Sequence, residues 1–291
     1  MTVFVRSRPY RGAVKGIILD WAGTAVDYGC MGPAAVFVAV FEAFGIRVSV
    51  QDARRFMGLM KKDHIRGICT LPGVIDQWRE AFGRAPNEGD IDALYAKTEP
   101  MMVDAISRHA DPIPGLVDMV TIIRKEGLKI GSSTGYTRPM MDVLAPEAKK
   151  NGYAPDAVLC ASDVPAGRPY PWMCFKNAIL LGIYPLEAIV KIGDTVADIE
   201  EGLNAGMWTV GLTKSGNELG LDQEAADQLP TDELTARLDA IEKRFRDAGA
   251  HYVAEGIWEC LPVIDDINRR LAVGEQPIQD RQHPGELSRG K

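Results

Sequence analysis

The chain has 291 residues, 46% of them apolar and 25% charged, the balance of an ordinary soluble globular protein. Its length suits one large domain with a smaller one attached. A net charge of −7 argues against non-specific binding to nucleic acid or an anionic membrane, but not against a small anionic substrate, because basic side chains and a metal can reverse the field inside a cleft.

The cysteines, Cys30, Cys69, Cys160, Cys174 and Cys260, are scattered and form no Cys-x-x-Cys pair. This predicts a reduced, cytoplasmic protein without structural disulfides or zinc. The opening stretch MTVFVRSRPYRG is too short and too charged for a secretory signal. No run approaches the ~18 apolar residues of a membrane span.

In chain order, the first predicted strand is 17–20, which ends on Asp20 ahead of the turn Trp21-Ala22-Gly23-Thr24. A carboxylate at the carboxyl end of a buried strand stands where open α/β sheets bind ligands, so Asp20 is a candidate nucleophile. Residues 29–110 then show helical periodicity and no convincing strand. Within them 33–41 reads as a buried helix, and 51–71 and 89–108 as two more. About eighty residues is too long for a structureless loop, so this insertion is expected to be a small helical domain covering the strand edge next to Asp20.

Further strands are expected at 128–132, 157–161, 188–193 and 208–212, with helices at 138–151, 171–181 and 196–205 between them. Strand and helix in alternation imply a Rossmann-like parallel sheet with helices on both faces. Residues 232–271 read as helices around a short strand at 251–254. Residues 1–28 would hold an N-terminal extension and the first strand, 111–272 the remainder of the α/β core, and 273–291 a polar, Gln-, Pro- and Gly-rich tail expected to be disordered.

The chemistry gathers at strand ends. Asp194 and Asp198, four residues apart in Lys191-Ile192-Gly193-Asp194-Thr195-Val196-Ala197-Asp198, share one face if that turn is helical. Like charges so close are unfavourable unless a cation offsets them, and Mg²⁺, a hard oxygen-seeking ion, suits them. Asp198 reads equally well as a first-turn acid stabilised by the helix dipole. Met57, Lys61 and His64 stand at i, i+4 and i+7, one stripe of a helix, with Lys62 about 100° away. On composition alone Lys61 would be a solvated helix lysine.

Taken together, Asp20-Trp21-Ala22-Gly23-Thr24, Gly131-Ser132-Ser133-Thr134-Gly135-Tyr136, Gly167-Arg168-Pro169-Tyr170-Pro171-Trp172 and the Lys191–Asp198 segment resemble, in this order, the haloacid dehalogenase superfamily. With Met57-Gly58-Leu59-Met60-Lys61-Lys62-Asp63-His64 added, the chain is similar to the phosphonatase family within it, from about Val14 to Leu271. The resemblance implies an inserted helical cap domain and the hydrolysis of the C–P bond of phosphonoacetaldehyde to acetaldehyde and phosphate. It implies that Asp20 is the nucleophile, that Lys61 forms a Schiff base with the aldehyde, and that His64 moves protons. It implies Mg²⁺ held by Asp20, Asp194 and the Ala22 carbonyl, with Asp198 and Lys191 behind them. Thr134 and Arg168 would hold the phosphonate oxygens, Met57 and Gly58 would border the substrate, and Cys30 and Tyr136 fall at family positions where structural roles are equally open. Lys191 would neutralise Asp20 or place its stem in the core. A homodimer using the cap is expected on the same ground.

Ordinary phosphatases of the superfamily carry an acid two residues after the nucleophile, which protonates a departing oxygen. Ala22 stands there. That departure weighs against a phosphomonoesterase or phosphomutase, the alternatives within the superfamily. A dehalogenase would have no use for the metal carboxylates. A catalytically silent phosphate-binding module would have no reason to retain Lys61 beside Asp20 and Asp194. Trp21, Trp172 and Trp208 read as packing residues, and His109 and His251 show no ligand spacing.

Overall fold

The computed structural model describes residues 9–277. Within them β1 (Gly16–Leu19) is followed by a helical block, α1 (Met31–Glu42), α2 (Val50–Arg54), α3 (Lys61–Cys69), α4 (Pro72–Phe82) and α5 (Glu88–Ile106). The chain then returns as α6 (Leu116–Lys125), β2 (Lys129–Thr134), α7 (Arg138–Lys150), β3 (Ala157–Cys160) and α8 (Trp172–Leu181). It closes with β4 (Ile189–Gly193), α9 (Val196–Asn204), β5 (Trp208–Leu212), α10 (Gln223–Gln228), α11 (Thr231–Asp247), β6 (Tyr252–Ala254) and α12 (Cys260–Ala272).

The strands form one parallel sheet in the order β3-β2-β1-β4-β5-β6. Every residue of β1, β4 and β5 is buried, as a sheet covered on both faces requires. Strand order reverses between β1 and β4, so the crevice at their carboxyl ends is the switch point at which open α/β sheets place ligands. Asp20 and Asp194 immediately follow those two strands.

The helical block shares an apolar core with one face of the sheet, and α1 and α3 both pack against α5. Local chemistry sets its helix ends. Ser49 caps α2, and Asn87 and Asp90 exchange bonds in a capping box at the start of α5. The single helix expected over 51–71 is instead two, α2 and α3, separated by a turn through Met57 and Gly58. Gly58 is left-handed with φ +89°, and a Cβ there would lie 2.5 Å from Thr195 Oγ1. Close approach to the sheet edge breaks the helix where periodicity alone would continue it. Met57 therefore precedes the helix that carries Lys61 and His64, and the expected stripe is not a helical face. The periodicity also left α4 and α6 unread.

Trp21 and Trp208 are buried as expected, but Trp172 is 42% exposed at the start of α8. The cysteines are buried free thiols. Residues 274–277 of the expected tail fold back, with the Pro277 carbonyl 2.6 Å from His251 Nε2. The rest of the tail, and residues 1–8, lie outside the described residues. No helix among the described residues is long and apolar enough to cross a membrane.

Candidate active site

Asp20 leaves β1 with its backbone N–H donating to the Ile192 carbonyl at 3.0 Å, so the β1–β4 ladder aims its carboxylate into the crevice. Arg168 Nη2 donates to Asp20 Oδ1 at 2.7 Å. The Arg168 guanidinium is buried, contrary to the surface-loop placement its prolines would suggest, and also donates to the Ser133 carbonyl at 2.6 Å and to Glu201 Oε2 at 3.0 Å. Burial pushes the Asp20 carboxyl up. Arg168 and Lys191 oppose that shift, Asp198 adds to it, and the net direction is upward.

Asp194 is fully buried. Thr24 Oγ1 donates to its Oδ1 at 2.9 Å, and the Asn217 backbone N–H donates to its Oδ2 at 2.8 Å. Burial, then the charges of Asp20 and Asp198, drive its carboxyl well above the ordinary range. Asp198 behaves oppositely. Burial would raise it, but Arg168 and Lys191 hold it low, with Lys191 Nζ at 2.5 Å and Thr195 Oγ1 donating at 2.6 Å. Asp198 is thus a first-turn acid of α9 that also pairs with Arg168 and Lys191. Lys191 pairs with Asp198 rather than directly with Asp20.

Carboxylate oxygens of Asp20, Asp194 and Asp198 all lie within 4.8 Å of one another. Glu201, which sequence reading missed, joins them through Arg168 and through Ser133 Oγ, which donates to it at 2.9 Å. The signal was present in part, since Asp198 and Glu201 stand three residues apart on α9. Four buried carboxylates thus face two buried cations, Arg168 and Lys191. The carboxylates outnumber the basic side chains that bond them, and an all-oxygen donor set matches a hard divalent cation. Asp194 pairs with no basic side chain among the described residues, and Asp20 keeps its Oδ2 free of the Arg168 bond, whereas Asp198 and Glu201 are engaged by the basic side chains.

Across the crevice, Lys61 begins α3 and is 3% exposed. Its Nζ lies 4.6 Å from the Tyr136 ring centroid and 5.5 Å from that of Phe37, and no carboxylate of the described residues pairs with it. Burial lowers its pKa to about 8, with Asp20 and Cys30 opposing. Lys62 instead points outward and pairs with Asp92. Asp20, Ala22, Met57, Gly58, Lys61, Thr134, Tyr136 and Arg168 line one cavity of about 20 Å³, together with Pro33, Gly135 and Thr195. That is room for roughly one water. Gly135 admits the turn above it, since a Cβ there would lie 2.3 Å from the Leu59 carbonyl.

Asp194, Asp198 and Lys191 stand behind that lining, and Cys30 and His64 also lie outside it. Cys30, left-handed at the start of α1, donates its thiol to Asp194 Oδ2 at 3.4 Å. His64 is fully buried, stacked on Phe37 at 3.8 Å between centroids. Its Nε2 lies 2.6 Å from the Ala53 carbonyl, and Nδ1 has no hydrogen-bond partner. Burial and the Lys61 charge hold its pKa well below the usual value, so the ring is neutral and donates to Ala53.

Residues 14–206 match the family model described as haloacid dehalogenase-like hydrolase. The chain belongs to that family. A phosphonoacetaldehyde hydrolase of Syntrophobacter fumaroxidans is 55% identical over 277 residues, covering 95% of this chain and all of the relative. One from Nitratidesulfovibrio vulgaris is 52% identical, covering 95% of this chain and 99% of the relative. A solved phosphonoacetaldehyde hydrolase-like protein from Oleispira antarctica superposes with a TM-score of 0.92 at 39% identity, covering 95% of this chain and all of that one.

Proposed function

We propose that this chain hydrolyses phosphonoacetaldehyde to acetaldehyde and phosphate, with Asp20 as phosphoryl acceptor, Lys61 as imine former and the helical block of residues 29–110 as a cap. The observation that carries the reading is a buried lysine, paired with no carboxylate of the described residues, that lines one small cavity with Asp20 while Ala22 occupies the position of the usual leaving-group acid. Names of relatives at 52% and 55% identity agree with it.

A carbon leaving group needs somewhere to put its electrons. The neutral Lys61 amine adds to the aldehyde and, taking up one proton from solvent that the final hydrolysis returns, expels water to give a protonated imine. Asp20 then attacks phosphorus, and the C–P electron pair moves onto carbon and into the iminium nitrogen as an enamine. Water cleaves the aspartyl phosphate. The enamine takes a proton at carbon, and a second water releases acetaldehyde from Lys61. The balance is one substrate and one net water to one acetaldehyde and one phosphate.

Arg168 and Thr134 hold the phosphonate oxygens, the former as a planar cationic fork. Met57, Gly58 and Tyr136 exclude water from the amine, which keeps its pKa low. His64, neutral and walled off by Phe37, holds the start of α3 in place, and its free Nδ1 is the acceptor available should protons pass through that helix. Cys30 orients Asp194. Mg²⁺ fits Asp20, Asp194 and the Ala22 carbonyl, where it would neutralise charge on the phosphoryl oxygens. A homodimer and a cytoplasmic setting complete the reading, resting on family resemblance and on unpaired cysteines respectively.

The cavity is smaller than the substrate, so the cap must open to admit it and close to complete the site. Incubation with phosphonoacetaldehyde should release equimolar acetaldehyde and phosphate, and simple phosphate esters should be turned over poorly. Borohydride with aldehyde should leave a stable adduct on Lys61, and Asp20→Asn should lose activity by orders of magnitude. Brisk ester hydrolysis with no lysine adduct would instead assign a phosphomonoesterase.

A further inference from the structure

The segment that follows β5 reaches four parts of the molecule at once. Ser215 Oγ donates to the Gly23 carbonyl at 2.8 Å, and the Gly29 N–H donates to the Ser215 carbonyl at 2.8 Å. The Asn217 N–H donates to Asp194 Oδ2 at 2.8 Å. The Asn217 side chain, 4% exposed, faces α2 of the helical block. There it makes a reciprocal pair of bonds with Arg54. Arg54 Nη1 donates to Asn217 Oδ1 at 3.2 Å, and Asn217 Nδ2 donates to the Arg54 carbonyl at 3.2 Å. The same Nη1 donates to the Gly29 carbonyl at 2.7 Å, in the strand of chain that crosses into the block.

No carboxylate of the described residues pairs with Arg54. Its neighbours Arg55 and Arg244 are paired with Asp52 and Glu218. A part-buried guanidinium satisfied by two carbonyl oxygens and the weakly accepting Met31 sulfur depends on the contacts that supply them. If the block lifts, Arg54 loses Asn217 and Asn217 loses both of its side-chain bonds. Gly220, left-handed with φ +68°, lets the loop lie against the guanidinium, since a Cβ there would lie 2.9 Å from Arg54 Nε.

We propose that Arg54 and Asn217 form a latch through which seating of the helical block fixes the orientation of Asp194. The proposal rests on Asp194 holding the cation, as in the reading above. Both are positioning residues, since neither lines the catalytic cavity. When the block seats, the Asn217 side chain is gripped from above, and its N–H is thereby fixed on Asp194 Oδ2. Thr24 and Cys30 already hold the carboxylate, and the third bond, from Asn217, is fixed only in the closed state, so cation and closure favour one another.

The test uses the full chain with Arg54→Ala, Asn217→Ala and the double substitution, with Arg54→Lys as a milder variant that keeps charge but loses the fork. Two readouts are taken, the Mg²⁺ concentration at the midpoint of thermal stabilisation and amide exchange over 27–31 and 213–220. Each alanine variant should raise the Mg²⁺ midpoint about tenfold, the scale of a hydrogen bond to a charged group. The double variant should be no worse than either single one, and Arg54→Lys should fall between. Arg54→Ala should also speed exchange in 213–220, a segment it does not alter. Additive losses, an unchanged Mg²⁺ midpoint, or loop exchange indifferent to Arg54→Ala would overturn the latch. A native protein that ignores Mg²⁺ would remove the metal reading instead, and exchange in the Arg54→Ala protein would still decide whether the latch exists.

Discussion

Lys61 sits where a cation is least comfortable, buried against two aromatic rings at the N-terminal turn of α3, the positive end of the helix dipole. The amine needs this environment to be partly neutral near physiological pH, and the fold is destabilised by it. Its folded pKa of about 8 lies below the unfolded value. Below pH 8 both states are protonated and the full cost is present. Between about 8 and 10.4 only the unfolded chain keeps the proton, so this residue's contribution to stability improves as pH rises. Lys61→Met should therefore be inactive yet more stable, by about 3 kcal/mol at pH 7. That advantage should shrink toward pH 10, as denaturant titrations at the two pH values will show. Imine trapping in the native protein should slow about tenfold per pH unit below 8. A destabilised Lys61→Met would mean that the lysine is structural.

At the scale of elements, the two crossings between sheet and helical block are tied by one acid. Asp27 is left-handed, φ 55°, and accepts from the N–H groups of Met31 and Gly32 at 3.0 and 3.2 Å, capping α1 where Cys30 makes no cap bond. His109, at the return crossing, lies 3.2 Å from the same carboxylate. That hydrogen bond raises the His109 pKa, against partial burial. A raised histidine stabilises the fold fully below its unfolded pKa and loses that contribution as pH rises through the folded one. Asp27→Ala should cost about 1–2 kcal/mol through the lost cap. The loss should be larger at pH 6 than at pH 8, when thermal melts of both proteins are compared. An equal loss at both pH values would confine the role of Asp27 to capping.

For the molecule as a whole, charge is stored at the sheet edge. The excess of carboxylate over buried base there favours any state that brings a divalent cation in. Mg²⁺ at about a hundred times its dissociation constant should stabilise the fold by about 2.7 kcal/mol. Chelation should abolish turnover and lower Tm together. Asp194→Asn should erase the Mg²⁺ effect on Tm, and it should raise the metal-free Tm because burial already disfavours that charge. Identical melting with and without Mg²⁺, alongside full activity in chelator, would exclude a resident cation.

The parallel sheet, the helical insertion and the strand-end positions of Asp20, Thr134 and Asp194 were legible in the sequence because they are written locally. Apolar runs bury strands, helical periodicity builds helices, and polar residues at strand ends mark the open edge. Motif order brought Lys61 and Arg168 to the same place. What only the tertiary structure decided depends on what lies opposite each residue. Gly58 breaks the helix expected over 51–71 because Thr195 stands above it. Lys61 is unpaired, and Lys191 serves Asp198, because of which carboxylates the fold brings within reach. Glu201 enters the site through Arg168, thirty-three residues away in sequence, and Asn217 meets Arg54 across one hundred and sixty-three. Periodicity reports which face of an element is buried. Charge pairing and the direction of each pKa are properties of the assembled crevice, where burial removes water and leaves each group only the partners that the topology supplies.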